Sequence, residues 1–250
     1  MKLLGLIGYP LTHSFSVSYF SEKFLKEKIS GYEYRNFPLQ DISKLPELLD
    51  EQPELIGLNV TIPYKEKIIP YLHEIEPTAG KIGAVNTVKI IRGNGKKHLS
   101  GYNTDVFGFH HSLTPFLQKK HSGALILGTG GASKAVAYVL DQLGIEYLFV
   151  SRTPSKGQIS YGDICLSIIR KHLIIVNTSP LGTYPDVGAY PDIPYDLLTP
   201  DHILYDLVYN PPETAFLRFG REKGATCING QRMLELQAEK SWEIWTGKEG

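Results

Sequence analysis

A chain of 250 residues with 42% hydrophobic content has room for one large domain or two small ones with ordinary buried cores, which excludes disorder as the default state. Its 26 Lys and Arg balance 26 Asp and Glu with no polybasic run, so neither nucleic acid nor a membrane is an expected partner, and a charged ligand must be met locally. The two cysteines, Cys165 and Cys227, lie far apart with no C-x-x-C or His-rich neighbour, which argues against a disulfide framework or a metal site and fits a reducing cytoplasm.

In chain order, Leu3 to Ile7 is predicted as a strand, Ser16 to Glu27 as a helix, Tyr32 to Phe37 as a strand and Ile42 to Leu49 as a helix. Met1 to Gly8 carries one lysine and a short apolar run broken by glycines. No apolar stretch reaches the length of a membrane span, so a soluble, unexported protein is expected. Leu55, Ile56, Leu58, Val60 and Ile62 then form a short buried strand, and Pro63 cannot continue a central ladder. Lys65 therefore follows at the carboxyl end of a strand, where ligands of open α/β sheets bind. Lys65 through Leu72 is predicted helical. Ala84 to Ile91 and Lys97 to Ser100 are predicted as strands around the turn Gly93-Asn94-Gly95, with a helix beginning after Asp105.

A second alternation starts at Ala124-Leu125-Ile126-Leu127, passes through Gly128 to Ser133 into a helix ending near Gly144, and resumes with the strand Tyr147 to Val150. Strands at Ile174 to Asn177 and Ile203 to Leu207 continue it, Pro180 to Pro200 is a long loop, and Met233 to Trp245 is the last helix. The expected class is α/β. An N-terminal α/β domain occupies residues 1–105, completed by the C-terminal helix at 230–250, and a Rossmann-like nucleotide-binding domain occupies 106–229.

Gly128-Thr129-Gly130-Gly131-Ala132-Ser133 stands between a buried strand and a helix, where backbone N–H groups and a helix N-terminus hold a pyrophosphate. Ser133 occupies the third glycine position. NAD-preferring sites end the second strand on Asp or Glu, which binds the ribose 2′-hydroxyl; here it ends Val150-Ser151-Arg152-Thr153, with Lys156 close behind. No carboxylate repels a 2′-phosphate, and the Arg152 guanidinium offers it a planar fork, so the expected cofactor is NADP. Three further polar clusters lie where strands end: Ser14-Phe15-Ser16, Ala84-Val85-Asn86-Thr87 and Gly101-Tyr102-Asn103-Thr104-Asp105. Taken singly, Ser14 could cap a helix, Asn86 satisfy a turn and Asp105 serve as an N-cap.

Taken with Lys65, these clusters resemble the shikimate dehydrogenase family, through S-x-S at Ser14 and Ser16, N-V-T-x-P-x-K ending at Lys65, A-V-N-T at Asn86 and N-T-D-x-x-G at Asp105. Asn177-Thr178-Ser179-Pro180-Leu181-Gly182, Asp206-Leu207-Val208-Tyr209-Asn210-Pro211, and Gly230 followed by Met233-Leu234 and Gln237 match further family motifs in the family's order. The resemblance covers nearly the whole chain. It implies NADPH-dependent interconversion of 3-dehydroshikimate and shikimate, with Lys65 and Asp105 as the reacting pair. Ser14, Ser16, Thr61, Asn86, Tyr209 and Gln237 match positions that hold the substrate. Leu207, Gly230 and Met233 match positions lining the nicotinamide, and Thr178 falls with the cofactor-binding residues. The resemblance further implies that the last helix packs back on the N-terminal domain, with a cleft between the domains, in a monomer or homodimer.

Two departures stand out. Ser151 precedes Arg152 where the family more often has asparagine, and Thr153 to Asp163 is short for the helix usually found there. Phe15 and Val17 also flank the serines where other small or apolar residues are usual. A quinate or quinate/shikimate dehydrogenase is the nearest rival, and a non-catalytic NADPH-binding regulator is the rival from another class.

Overall fold

The computed structural model describes residues 1–11, 15–93 and 95–247. They divide into two compact units, Met1–Thr104 with Gln237–Gly250, and Asp105–Leu236.

The first unit contains, in chain order, β1 (Lys2–Gly8), α1 (Phe15–Lys26), β2 (Tyr32–Pro38), α2 (Leu45–Glu51), β3 (Leu55–Val60), β4 (Glu74–Ile75), α3 (Pro77–Ile82), β5 (Thr87–Gly93) and β6 (Lys96–Tyr102). The strands form one mixed sheet in the order β2-β1-β3-β5-β6-β4. The period of two along β1 sends Leu3 and Ile7 into one core, with Leu58, Val60 and the Leu45, Leu48 and Leu49 stripe of α2. Leu4 and Leu6 enter the opposite core with Phe20 of α1, Tyr34, and Ala238, Trp242 and Trp245 of the last helix. Gly57 makes room for this second core, because a Cβ there would collide with the Trp245 indole, whose Nε1 donates to the Val88 carbonyl at 3.0 Å.

The second unit continues with α4 (Asp105–Leu113), β7 (Gly123–Leu127), α5 (Gly131–Gln142), β8 (Glu146–Val150), β9 (Gln158–Ile159), α6 (Leu166–Lys171), β10 (Ile174–Asn177), β11 (Ile203–Asp206), α7 (Ala215–Glu222) and β12 (Thr226–Ile228). The last helix, α8 (Gln231–Thr246), is divided between the units at Gln237. The second sheet is wholly parallel, in the order β12-β11-β10-β7-β8-β9. Its central strand β7 is buried along its whole length, with Ala124 and Ile126 in the core that holds Phe109 and Val136, and Leu125 and Leu127 in the one that holds Ile169 and Phe216. The strand order reverses between β7 and β10, the switch point at which doubly wound sheets bind ligands.

Local structure departs from the sequence reading where backbone donors are missing or diverted. Lys65 to Leu72 is a run of turns closed by a 3₁₀ turn at Ile69–Tyr71, because Pro70 has no N–H with which to continue an α-helical ladder. The strand expected from Ala84 begins at Thr87, since Val85 N–H donates to Lys65 O at 2.7 Å and Asn86 N–H to Tyr102 O at 3.0 Å. Among the described residues no helix is long and apolar enough to cross a membrane, and no group of three or more His, Cys, Asp or Glu is placed to hold a metal ion.

Candidate active site

In the first unit the candidate residues gather beyond the carboxyl end of β3. Thr61 N–H donates to Ile7 O at 2.9 Å, Tyr9 N–H to Ile62 O at 3.1 Å, and the Tyr64 hydroxyl to Leu39 O at 2.6 Å. The turn carrying Lys65, which follows a cis Ile62-Pro63 bond, is thus tied to β1, to the segment after β2 and, through Val85, to the start of β5. Thr61 and Lys65 are half-buried.

A buried network of amides and hydroxyls adjoins that turn. Asn86 Oδ1 accepts the Thr104 backbone N–H at 2.7 Å and the hydroxyls of Thr104 and Thr87 at 3.2 Å each. Asn59 Nδ2 donates to Asn86 O at 3.3 Å, Thr87 Oγ1 at 3.2 Å and Ser241 Oγ at 3.0 Å, while its Oδ1 accepts the Tyr34 hydroxyl at 2.8 Å. Thr104 Oγ1 also reaches Gln237 Oε1 at 3.4 Å. Ser16, buried in the first turn of α1, hydrogen-bonds the Tyr34 phenol, whose pKa burial drives up while that bond pulls it down. Ser16, Asn86 and Gln237, expected from the resemblance, are therefore brought together through Tyr34, Asn59, Thr87, Thr104 and Ser241. Ser14 lies outside the described residues. Of the connecting residues, Asn59 carried a visible signal, an amide inside the apolar strand Leu58-Asn59-Val60, and Ser241 one helical turn beyond Gln237 carried none. Lys65 belongs to the first unit, whereas Asp105, also buried, opens the second as the first residue of α4.

In the second unit the expected cofactor residues cluster at the switch point. Gly128 has φ +116°, and a Cβ there would stand 2.8 Å from Thr178 Oγ1. Gly128 N–H donates to Val150 O at 2.9 Å, and the N–H and hydroxyl of Thr178 both donate to Leu127 O, at 3.0 and 2.8 Å. The ends of β7, β8 and β10 are thereby laced together. Thr129 and Gly130 are exposed, and α5 begins at Gly131 with Ala132 next and no side-chain cap from Gly130, the kind of helix N-terminus that can take a phosphate. Ser133 is tolerated at the third glycine position because its buried hydroxyl turns back to Gly130 O at 2.6 Å. After β8, Ser151 N–H donates to Ile159 O at 2.9 Å and Ser151 Oγ accepts Thr153 N–H at 3.2 Å, which leaves Arg152 exposed at the tip of the turn. Burial raises the nearby Tyr161 phenol pKa, and the Arg152 charge offsets part of that rise. The segment that follows holds β9 and a 3₁₀ turn at Tyr161–Asp163 with a Ser160–Asp163 capping box, in place of a helix.

Leu207 N–H donates to Asn177 O at 2.9 Å and Gly230 N–H to Val208 O at 3.1 Å. Gly230 lies so close to the Leu207 backbone that any Cβ would strike its carbonyl, and Met233, one turn into α8, is buried in the core against which Leu207 packs. Tyr209 is half-buried, and burial raises its phenol. Beneath these residues Asp206 is fully buried: its carboxylate accepts the Thr214 hydroxyl at 2.6 Å, Asn177 Nδ2 at 2.9 Å and Val208 N–H at 3.0 Å. Burial pushes the Asp206 carboxyl up to about 6, against the pull of those hydrogen bonds. An unfolded aspartate titrates near pH 3.9, so the native state holds the proton more tightly. The stabilisation from this group is full below about pH 4 and is lost as pH rises through about 6, a swing of about 3 kcal/mol. Asp206→Asn is expected to remove that part of the pH dependence from urea unfolding measured at successive pH values between about 4 and 7. A variant whose stability follows the parent's slope across that range would rule the assignment out.

Residues 6–88 match the family model described as the shikimate dehydrogenase substrate binding domain. A shikimate dehydrogenase (NADP(+)) of Carboxydothermus hydrogenoformans is 40% identical over 265 residues, covering 98% of this chain and 92% of the relative. The crystal structure of a chorismate mutase/shikimate 5-dehydrogenase fusion protein from Clostridium acetobutylicum superposes with a TM-score of 0.87 at 38% identity, covering 100% of this chain and 92% of the other. That of shikimate 5-dehydrogenase from Thermus thermophilus, in complex with NADP(H) and shikimate, gives a TM-score of 0.85 at 31% identity over 99% of this chain and 94% of the other. With likeness of this degree running almost end to end, the chain belongs to the shikimate dehydrogenase family.

Proposed function

We propose that this protein catalyses the reversible NADPH-dependent reduction of 3-dehydroshikimate to shikimate, a step of the shikimate pathway to chorismate and the aromatic amino acids. The observation that carries the reading is near-full-length identity of 40% to a shikimate dehydrogenase (NADP(+)), in a chain whose Lys65, Asn86 and Gln237 lie on one buried network or beside it. The switch-point residues fit the cofactor: only glycine suits φ +116° at Gly128, the α5 N-terminus has no side-chain cap, and Arg152 stands exposed where a 2′-phosphate is read. NADP bound there supplies or takes up the hydride. Residues 1–105 with the end of α8 form the substrate-binding part and residues 106–229 the cofactor-binding part.

Reduction of a ketone builds negative charge on its oxygen, which the Lys65 ammonium stabilises while a proton reaches the forming alkoxide. Asp105 is the second member of the proposed reacting pair. Ser14, Ser16, Thr61, Asn86, Tyr209 and Gln237 hold the carboxylate and ring hydroxyls, the serines without adding net charge. Cys165 and Cys227 are both free thiols, as a reducing compartment requires, and the proposed setting is the cytoplasm, with the protein acting as a monomer or homodimer. The test is nicotinamide reduction with shikimate or quinate, each paired with NADP⁺ or NAD⁺. Turnover of shikimate with NADP⁺ above the other three pairs is expected. A preference for quinate or NAD⁺ would assign the chain to the quinate dehydrogenases, and no turnover with retained NADPH binding would make it a regulator.

A further inference from the structure

Asp206 ends β11, and its two carboxylate oxygens have different duties. Oδ1 accepts Asn177 Nδ2 at 2.9 Å and the Val208 N–H at 3.0 Å, whereas Oδ2 accepts the Thr214 hydroxyl at 2.6 Å. Both donors on Oδ1 are obligate. A backbone N–H can only donate, and the Asn177 amide is oriented by the Ser179 N–H, which donates to Asn177 Oδ1 at 3.1 Å and so turns the nitrogen toward Asp206. The Thr214 hydroxyl on Oδ2 can donate or accept, and it also caps α7 by accepting Leu217 N–H at 3.4 Å. The Oδ1 bonds hold the segment that follows. Val208 is gripped on both sides, its N–H by Asp206 and its carbonyl by the Gly230 N–H at 3.1 Å, and Leu207 N–H is spent on Asn177 O at 2.9 Å. Asn177 extends the same hold to the loop after β10, since its Oδ1 also accepts the Ser179 hydroxyl at 2.6 Å.

We propose that Asp206, through Oδ1, is a positioning residue for the wall that receives the nicotinamide, setting Leu207 and Gly230 beyond β11 against the Thr178 loop beyond β10. The inference rests on the proposed binding of NADP by this unit, with Thr178, Leu207 and Gly230 among its cofactor residues. Asp206 and Asn177 are both fully buried, so they act on that wall from beneath it. The turn bearing Arg152 follows β8 and is held by other bonds, Ser151 N–H to Ile159 O and Thr153 N–H to Ser151 Oγ. The nicotinamide end of the site therefore depends on Asp206 Oδ1 and the 2′-phosphate end does not.

The test compares full-length Asp206→Ala, Asp206→Asn, Asn177→Ala and Thr214→Val proteins with the parent, using urea unfolding to establish that each is folded. Equilibrium binding is measured for NADP⁺, NADPH and adenosine 2′,5′-bisphosphate, which has the 2′-phosphate but no nicotinamide. Asp206→Ala and Asn177→Ala are expected to raise Kd for NADP⁺ and NADPH roughly tenfold and to leave that for the bisphosphate within about twofold. If Asp206→Ala does not fold, Asn177→Ala, which takes a donor from the same oxygen, decides the matter. Asp206→Asn is expected to keep most of the parent affinity, because its oxygen can still meet the two obligate donors while its nitrogen faces a hydroxyl able to accept. Thr214→Val, which acts on Oδ2, is expected to keep all three constants within about twofold. Parental NADP⁺ affinity in folded Asp206→Ala or Asn177→Ala protein would overturn the proposal. So would an equal loss for the bisphosphate, or an Asp206→Asn or Thr214→Val protein as impaired as Asp206→Ala, since packing or charge would then account for the effect. A parent protein that binds no NADP⁺ or NADPH would overturn the functional reading and this inference with it, whereas a normal parent with indifferent variants would overturn the inference alone.

Discussion

Lys65→Ala is expected to lower kcat for shikimate oxidation by roughly 10²–10⁴-fold while NADPH affinity stays within about twofold. Three ties root the lysine: the Tyr64 hydroxyl on Leu39 O, the Thr61 N–H on Ile7 O and the Lys65 carbonyl receiving Val85 N–H. These ties fix the backbone from which the Lys65 side chain springs, so the ammonium starts from a defined place in the fold. Arginine is no substitute, because a planar guanidinium neither gives up a proton near neutral pH nor occupies the same point in space. Asp105→Asn keeps the shape of a buried residue at the N-terminus of α4 but removes the negative charge, and the same range of loss is expected. Steady-state kcat and KM with fluorescence titration of NADPH check both variants. Near-parental turnover in either would take that residue out of the mechanism.

Arg152→Ala is expected to weaken NADP⁺ binding roughly 10–100-fold and NAD⁺ binding by no more than about threefold. The side chain is exposed on a turn that Ser151 ties to Ile159 and Thr153, so its removal leaves no cavity and disturbs no core. On the proposed role, what the variant loses is a guanidinium fork for a 2′-phosphate, and NAD⁺ has no such group. Titration of each cofactor against parent and variant decides the matter: equal losses for the two would show that Arg152 stacks on the adenine or shapes the turn and does not read the phosphate.

The parts of the fold that are legible in the sequence are those whose residues carry their own pattern. The central strand of the second sheet is an unbroken apolar run from Ala124 to Leu127, and the glycines after it answer a backbone demand that only glycine meets at Gly128. The helix α3 escapes the sequence reading although Pro77 at its start and Gly83 at φ +70° just past its end mark both boundaries, because six residues are too few to show a period. The strands β4, β9 and β12 have two or three residues each and exist because a neighbouring edge pairs with them. Helices α6 and α7 are likewise short, with Ile169 and Phe216 buried against the sheet. In the candidate site, residues such as Lys65, Asn86 and Arg152 stand out in the sequence through the motifs that carry them. The pairings beneath them are not legible in the same way, since nothing in the neighbourhood of Ser241 or Asp206 in the chain says which distant amide or hydroxyl it will meet.

The division of α8 bears on how the protein is made. Phe20, Tyr34 and Gly57 wait for Trp242 and Trp245, which leave the ribosome long after them. The parallel sheet of the second unit, continuous from Asp105 to Leu236, is synthesised in full before them. Translation therefore delivers the interior unit as a complete folding module while the one that begins the chain still exposes an aromatic face. A nascent polypeptide stalled short of residue 237 still exposes the apolar partners of Trp242 and Trp245 in its amino-terminal half.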